Sequence, residues 1–215
     1  MPVEITWYGH SCFRMMSRGE PAVVTDPYED TVGYTLPSLR ADIVTVSHDH
    51  RDHNNHKAVR GRPHVISGPG EYEIGGVFVT GISTYHDRAQ GGERGKNTIY
   101  LLEFSDLKVL HLGDLGHVPA QAQVGDLGTV DVLFVPVGGG PTINAAQAAE
   151  VVSLIEPKVV IPMHYKTDLV KFELDPVDKF LKAMGVESVK PQELFRASSA
   201  ELGEETQVVL LEYKQ

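Results

Sequence analysis

The sequence predicts an α/β protein in which two β-sheets pack face to face and helices cover the outside. Two observations predict this class. Short strand-like runs joined by tight turns fill the first half of the chain, whereas strands alternate with helical segments in the second half. The chain has 215 residues, 41% of them hydrophobic. That size suits one compact domain or two tightly fused halves, and we take residues 1–215 as a single domain.

The first half reads as hairpins and buried strands. The early strands are VEITWYG, SCFRMMS and AVVT, and the first two form a hairpin-like pair. The run DIVTVS at 42–47 is apolar, β-branched and of strand length, which predicts a buried strand. GEYEI and VFVTGIS, at 70–83, flank Gly75-Gly76, and this pattern predicts a hairpin with the two glycines in the turn.

The second half alternates between strands and helices. Residues 144–155 are Ala-rich and predict a helix, with Thr142 or a neighbour as its N-cap. Pro176 and Gly185 bracket a second helix, DPVDKFLKAMG, with the proline just inside its start. The predicted strands of this half are NTIYLLEF and LKVLHL, joined by a turn at Ser105-Asp106, and then VDVLFVPV, KVVIPMH and QVVLLEY.

Charge and composition narrow the partners. The formal net charge is −10 and no run of Lys and Arg occurs, so we expect no long nucleic acid as partner. A small anionic ligand is still compatible with the sequence, because a local cationic site can bind an anion in a chain of negative net charge. No apolar run reaches about 18 residues, which predicts no membrane span. With Cys12 as the single cysteine and no basic-apolar leader, we expect a cytoplasmic protein.

The stretch SHDHRDH, residues 47–53, crowds metal-binding side chains after a predicted strand. His48 and His50 are two residues apart, so in extended backbone both imidazoles face one ion. Asp52 and His53 break that alternation and suit a neighbouring ion. The alternative is a solvated loop that happens to be rich in histidine. The crowding favours a loop that serves two ions.

Three further residues of metal-binding type follow predicted strands. His86 ends VFVTGISTYH, Asp114 ends LKVLHLGD, and His164 ends KVVIPMH. Each alone would be an ordinary loop residue. Because strand ends gather at one edge of a sheet, we expect all three to meet the histidine-rich stretch. Imidazole and carboxylate ligands without thiolate suit zinc, and manganese and iron are chemically compatible.

The pieces WYGHSCFRM, VTDPY, SHDHRDH, HLGDLGH and IPMHY resemble the metallo-β-lactamase superfamily, and in particular the small stand-alone hydrolases that include L-ascorbate-6-phosphate lactonase. The resemblance implies a four-layer αββα sandwich with the site at the seam between its halves. It also implies two divalent metal ions. The first would be held by His48, His50 and His86, the second by Asp52, His53 and His164, and Asp114 would bridge both.

The resemblance and the ligand chemistry together predict a hydrolase. A hydroxide shared by the two ions would attack a small ester, a phosphodiester or a lactone, with Asp114, His164 and Asp52 as catalytic residues. Two divalent ions, two carboxylates and one hydroxide leave a local charge of roughly +1, which favours anionic substrates. Two alternatives are an iron-dependent oxidoreductase of the same fold and a non-catalytic, metal-stabilised binding module. The sequence indicates no oligomeric state.

Several residues near these motifs lie outside the proposed ligand set, and some of them have more than one interpretation. The resemblance implies that Asp26 hydrogen-bonds ligand histidines, although an Asp-Pro pair also starts turns. His10 is either a neighbour of the metal ligands, a substrate contact or a hydrogen-bonded core histidine. His117 either reaches the mouth of the active site or is an exposed loop residue. His111 is interpreted as a packed strand residue, and Cys12 as core.

The segment 86–98, HDRAQGGERGKNT, is a glycine-rich loop that follows a proposed ligand. Such loops often form lids or substrate walls. In that case Arg88, Arg94 and Lys96 would pair with an anionic group of the substrate. The alternative is a solvated, flexible loop.

Overall fold

The computed structural model describes residues 1–125 and 127–214. Within these residues the predicted strands and α-helices occur in the predicted order, and the structure adds two strands and one helix that were not predicted, His64–Ser67, Phe195–Ala197 and Gln121–Gly125. The strands are β1 (Val3–Trp7), β2 (Phe13–Met16), β3 (Val23–Thr25), β4 (Ile43–Val46), β5 (His64–Ser67), β6 (Gly70–Ile74), β7 (Val77–Tyr85), β8 (Lys96–Phe104), β9 (Leu107–His111), β10 (Val132–Pro136), β11 (Val159–Met163), β12 (Phe195–Ala197) and β13 (Gln207–Val208). The helices are α1 (Gln121–Gly125), α2 (Ala145–Ile155) and α3 (Val177–Ala183), with 3-10 turns at Asp30–Val32 and His56–Ala58.

The strands form two mixed sheets. The first has the order β12-β1-β2-β3-β4-β5 and the second β13-β11-β10-β9-β8-β7-β6. Strands β3, β4 and β5 are parallel, as are β9, β10, β11 and β13. Strand β7 is antiparallel to β8, which is antiparallel to β9, so β7 and β9 run the same way. The carboxyl ends of β7, β9, β10 and β11 therefore lie along one edge of the second sheet.

One apolar core joins the two sheets. It contains Ile5, Phe13 and Met15 from the first sheet and Leu102 and Phe134 from the second, all buried. The rings of Phe13 and Phe134 stack with their centroids 3.9 Å apart and an interplanar angle of 12°. This contact buries an aromatic ring of each sheet against the other. The two sheets thus face each other, as the sequence predicts.

The outer face of each sheet is also covered. Helices α2 and α3 pack against each other, and α2 contacts β10 of the second sheet. On the first sheet, Val24 and Val44 pack with Tyr28 and Tyr34 in a smaller apolar cluster. The two tyrosines belong to the segment between β3 and β4, which contains a 3-10 turn. These layers confirm the α/β sandwich, with the outer layer of the first sheet built from this irregular segment.

Several local predictions are confirmed and some need correction. Gly75 and Gly76 have φ of 56° and 89°, and both lie in the turn between β6 and β7, as predicted. Asn144 is the N-cap of α2, where its side chain and that of Gln147 form a reciprocal capping box. Pro176 is the N-cap of α3 rather than a residue inside it. The predicted last strand is shorter: only Gln207–Val208 pairs in the sheet.

The segment after β13 is buried but irregular. Val209, Leu210 and Leu211 are buried, which explains their apolar pattern. They are followed by an isolated bridge between Trp7 and Tyr213 instead of a ladder. Across the part of the chain that the structure describes, no helix is long and apolar enough to cross a membrane.

Candidate metal centre

The ends of four strands from the two sheets meet at one place. His48 follows β4 of the first sheet, whereas His86, Asp114 and His164 follow β7, β9 and β11 of the second. Asp114 and His164 are almost fully buried, as are His48 and His86. The expectation that these strand-end residues lie together is therefore met by the geometry.

The donor atoms of these residues fall into overlapping groups, each with its atoms within 4.8 Å of one another. The first group contains His48, His50 and His86, the set expected for the first ion. In a second group His53 and His164 stand with His10, and a third joins His48, His53 and Asp114. His50 is exposed, and the other members are buried.

The carboxylate of Asp114, a member of the third group, lies between histidines of the first and second groups. Its Oδ2 atom is 3.3 Å from Nε2 of His86 and 3.3 Å from Nε2 of His164, while its Oδ1 atom is 3.3 Å from Nε2 of His53. Nε2 of His48 is 4.0 Å from Oδ2. The carboxylate of Asp114 thus has histidines of the first and second groups around it.

Asp52 and His10 stand together on one side of the centre. Oδ2 of Asp52 is 3.8 Å from Nε2 of His53 and 3.5 Å from Nε2 of His10. The side chain of Asp52 is 25% exposed, so this carboxylate also reaches solvent. The ring of His10 lies 4.2 Å from that of His164 and 4.9 Å from that of His53. The structure thus brings His10 into the centre itself.

Hydrogen bonds orient the imidazole rings. Asp26 is fully buried and its Oδ2 accepts from Nδ1 of His53 at 2.9 Å. The same carboxylate accepts from the backbone N–H and the hydroxyl of Ser47, and Oγ of Ser47 is 2.9 Å from Nδ1 of His48. Nδ1 of His86 donates to the carbonyl oxygen of Pro141 at 3.2 Å. In the neutral tautomer that carries its proton on Nδ1, each of these rings presents the lone pair of Nε2 to the centre.

Burial and neighbouring charges set the protonation states. Burial lowers the pKa of His48 to about 3 and that of His10 to about 4. Both imidazoles are therefore neutral near pH 7, which is the form that binds metals. Burial would raise the pKa of Asp114, but His164 and His53 hold it well below its usual range. Burial opposes protonation of His53, yet Asp114 and Asp26 raise its pKa well above the usual value.

Three residues of the centre have backbone conformations that L-residues rarely adopt. His10, Asp26 and His164 have φ of 53°, 38° and 51°. The N–H of His164 donates to the carbonyl of His10 at 3.2 Å, which ties two of these turns together. Such conformations cost about 1–3 kcal/mol each and cluster at functional sites. Sequence alone does not reveal them, because none of the three is glycine.

The donor set fits divalent metal ions. Within the described part of the chain, Nε2 of His48 and His53, Oδ1 of Asp114 and both ring nitrogens of His10 are buried without a hydrogen-bond partner. Leaving a buried polar atom unpaired costs about 1–3 kcal/mol. A metal ion coordinated by the converging lone pairs of histidine and carboxylate ligands relieves that cost. Histidine nitrogens with one or two carboxylates are the donors that zinc prefers.

A cavity of about 630 Å³ opens beside the first group. His48 and His50 line it, together with Arg94 from the loop after His86 and Lys96 from the start of β8. His117 does not line this cavity. It lies half-buried beside Tyr85 in another cavity of about 460 Å³, and its Nδ1 is 3.1 Å from the carbonyl oxygen of Val118.

His111 and Cys12, which the sequence predicts to be packed in the interior, are both buried. Nε2 of His111 lies 2.9 Å from the carbonyl oxygen of Ser11, and its Nδ1 accepts from the N–H of Gly113. Cys12 is buried and unpaired. Burial raises the pKa of its thiol well above the usual value, so it behaves as a core residue.

Two residues that shape the site, Ser47 and Asp87, were not predicted from the sequence. Ser47 connects Asp26 to His48. Asp87 is buried directly after His86, and its carboxylate accepts four backbone N–H groups. The sequence signal for Asp87 is its position at the start of a glycine-containing loop, because aspartates there often accept hydrogen bonds from nearby backbone N–H groups.

Comparisons with known proteins agree with this geometry. The family model for the β-lactamase superfamily domain matches residues 4–164. A UPF0173 protein of Pyrococcus furiosus is 31% identical, with 90% of this chain and 99% of the relative aligned. A UPF0173 metal-dependent hydrolase of Thermoplasma acidophilum is 27% identical over 88% of this chain and 96% of its own.

A solved structure supports the same family. The crystal structure of a Thermotoga maritima protein, assigned to the metallo-β-lactamase superfamily as a Zn-dependent hydrolase, superposes with a TM-score of 0.81. It is 42% identical, and the match covers 97% of this chain and 98% of that one. The likeness to the L-ascorbate-6-phosphate lactonase group stays a prediction. The chain belongs to the metallo-β-lactamase superfamily and, within it, to the UPF0173 family.

Proposed function

We propose that this protein is a metal-dependent hydrolase that uses two divalent ions, with zinc as the preferred metal, to cleave a small anionic ester. A phosphodiester or a lactone is the expected substrate class. The observation that carries the proposal is the position of Asp114, whose two carboxylate oxygens lie 3.3 Å from histidines of two separate donor groups. Relatives described as metal-dependent hydrolases support the reaction type.

The first proposed ligand set is one of the donor groups, whereas the second takes His53 and His164 from another group and adds the nearby Asp52, which belongs to none. His48, His50 and His86 would hold the first ion, and His53, His164 and Asp52 the second, with Asp114 between them. Divalent ions held by these residues would supply Lewis-acid chemistry, activating a water and stabilising negative charge on the reacting oxygens. The unpaired ring of His10 lies against His53 and His164 and can add a nitrogen donor to the second set.

The residues of the chain would do the remaining work. Asp26 and Ser47 fix the rings of His53 and His48, so that Nε2 of each faces the centre before substrate arrives. Asp52 is partly exposed, and its Oδ2 is placed to accept a hydrogen bond from the attacking water. Its neighbour His10 lies 3.5 Å away and lowers the pKa of Asp52, which keeps that carboxylate ionised despite its burial.

A hydrolysis assay tests the proposal. Protein purified without chelator or a histidine tag is incubated with bis(p-nitrophenyl) phosphate and with a panel of small lactones. We expect turnover that a chelator abolishes and that added zinc or manganese restores. Asp114→Ala should lose at least about 100-fold in kcat/KM. The absence of turnover on every ester, with metals loaded, would contradict the proposal, and oxygen-dependent turnover with iron would favour the oxidoreductase alternative.

The proposal also includes the size of the substrate and the cellular compartment of the reaction. We expect the substrate to be a small molecule, since the chain is acidic overall and the cavity beside the centre measures about 630 Å³. We place the reaction in the cytoplasm, where the thiol of a lone buried cysteine such as Cys12 stays reduced.

A further inference from the structure

The loop that follows His86 is held in one shape by Asp87. This carboxylate is 5% exposed and accepts four backbone N–H groups. Oδ1 accepts from Ala89 at 2.7 Å and from Gly91 at 2.9 Å, and Oδ2 accepts from Glu93 at 3.1 Å and from Arg94 at 2.7 Å. Hydrogen bonds to an ionised acceptor are about twice as strong as neutral ones. The loop is therefore ordered from within rather than loosely solvated.

The two ends of the loop are also joined. The N–H of His86 donates to the carbonyl of Gly95 at 3.1 Å, and the N–H of Gly95 donates to the carbonyl of Gly91 at 3.1 Å. These bonds join the two ends of residues 86–95, and this loop begins at His86, a proposed metal ligand. A loop built in this way fixes the backbone from which Arg94 extends relative to the metal centre.

Arg94 of this loop and Lys96, the first residue of β8, face the cavity beside the first donor group. Arg94 and Lys96 line it together with His48 and His50. The remaining lining is rich in small polar residues: Ser47, Ser67, Ser83, Asn54 and Thr98. One acid, Asp49, also lines the cavity, and it accepts a hydrogen bond from the side-chain amide of Asn54 at 2.6 Å.

The charge of this cavity is opposite in sign to that of the chain. Two cationic side chains and one carboxylate leave it positive before any metal is counted, in a chain of net charge −10. A third cation, Arg88 of the same loop, is directed elsewhere: its Nη2 donates to Oε1 of Gln147 on α2 at 2.8 Å. Arg88 therefore has the charge and the loop of Arg94 but does not line this cavity, although both arginines line a smaller cavity of about 410 Å³.

We propose that Arg94, with Lys96, binds a second anionic group of the substrate, a carboxylate or phosphate that takes no part in the reaction. This inference rests on the proposed hydrolase function and narrows its substrate class to esters with such a remote anion. A guanidinium pairs with either group through two parallel N–H bonds. Binding a remote part of the substrate beside His48 and His50 orients the scissile ester at the metals. Asp87 is the positioning residue that sets Arg94 in place.

A matched pair of esters tests the assignment on the zinc-loaded protein. p-Nitrophenyl hexanoate and mono-p-nitrophenyl adipate have acyl chains of equal length and differ by one carboxylate. We expect the wild type to prefer the adipate in kcat/KM. Arg94→Met should lower the value for the adipate by about tenfold and change that for the hexanoate by less than twofold. Arg88→Met, the control, should leave both within twofold.

The role of Asp87 needs a separate readout. Asp87→Asn should reduce the adipate preference as Arg94→Met does, although Arg94 is still present. Hydrogen–deuterium exchange at the amides of residues 89–94 should rise at the same time, because their common acceptor is weakened. Unchanged exchange, or an unchanged preference with raised exchange, would overturn the positioning role.

Binding without turnover separates this inference from the proposed function. 4-Phosphonobutyrate and butylphosphonate differ by one carboxylate, and calorimetry gives the dissociation constant of each. The wild type should bind 4-phosphonobutyrate about tenfold more tightly, and Arg94→Met should abolish that difference. Failure to hydrolyse any ester with this binding pattern intact would contradict the hydrolase but not the anion site. Equal discrimination by wild type and Arg94→Met, or an equal loss in Arg88→Met, would overturn the assignment of Arg94.

Discussion

Asp26 holds His53 through a bond of 2.9 Å between Oδ2 and Nδ1, and both side chains are completely buried. The opposite nitrogen of His53, Nε2, lies 3.3 Å from Oδ1 of Asp114. A carboxylate behind the imidazole thus fixes its tautomer and its direction toward the centre. Since Asp26 also binds Ser47, which contacts His48, one carboxylate organises ligands of both proposed ions.

Asp26→Asn should weaken metal binding by about 10–100-fold, because an amide oxygen is a poorer acceptor for three donors and leaves the two rings less constrained. Competition with a chromophoric zinc chelator measures the change. The control is Asp42→Asn, at an exposed residue whose carboxylate accepts one backbone N–H, from Ala22. Equal zinc affinities in the two variants would refute the orienting role.

In the metal-depleted protein, the stabilising contribution of the buried, neutral His10 should be lost as the pH falls below about 6.5. Burial and His164 lower the pKa of His10 to about 4, whereas an unfolded histidine titrates near 6.5. Between these values the unfolded state binds more protons, so the free energy of unfolding decreases as the pH falls. For His10 alone the loss from pH 7.5 to 5.5 is about 1 kcal/mol.

Urea unfolding of the metal-depleted wild type and of His10→Gln at these two pH values measures how much of the change in the free energy of unfolding comes from His10. The variant should lose about 1 kcal/mol less than the wild type on acidification. His64→Gln, at an exposed histidine of β5, should behave as the wild type. The same pH dependence in all three proteins would show that His10 is not buried in its neutral form.

Gly116 permits a close approach that any side chain would prevent. A Cβ atom there would lie 2.3 Å from the backbone nitrogen of Asp87 and 2.3 Å from the carbonyl carbon of His86. Gly116→Ala should therefore displace His86 and destabilise the protein by about 1–3 kcal/mol, as overpacking does elsewhere. Metal content should fall with it, because His86 belongs to the first donor group.

Gly203→Ala is the matched control, since nothing lies within 4 Å of a Cβ built at that position. Urea unfolding and metal analysis of the two variants give the comparison. A Gly116→Ala protein with the stability and metal content of the control would mean that the contact with His86 relaxes at no cost.

Much of the fold could be predicted from sequence because its signals are local. The apolar runs that became β4, β10 and β11 are buried along their whole length, and such runs are typical of strands covered on both faces. His86, Asp114 and His164 could be expected at one edge because each directly follows a strand. Strand β5 was not predicted, because its residues are mostly exposed and show no apolar run.

The rest of the centre depends on contacts between distant segments. His10 enters it because the N–H of His164 bonds to the carbonyl of His10, and no local pattern specifies that pairing. Ser47 reaches Asp26 because β3 and β4 are parallel neighbours with Thr25 opposite Thr45. The role of Asp87 depends on the turns of its loop, which bring four N–H groups to one carboxylate.

Metal stoichiometry tests the central claim most directly. Mass spectrometry of protein purified without chelator or a histidine tag, after exposure to zinc and removal of the excess, gives the number of ions per chain. We predict about two for the wild type and fewer for Asp114→Ala, whose missing carboxylate lies between the two donor groups. A folded wild-type protein that contains no metal and takes up none, or one whose content is unchanged by Asp114→Ala, would contradict the account.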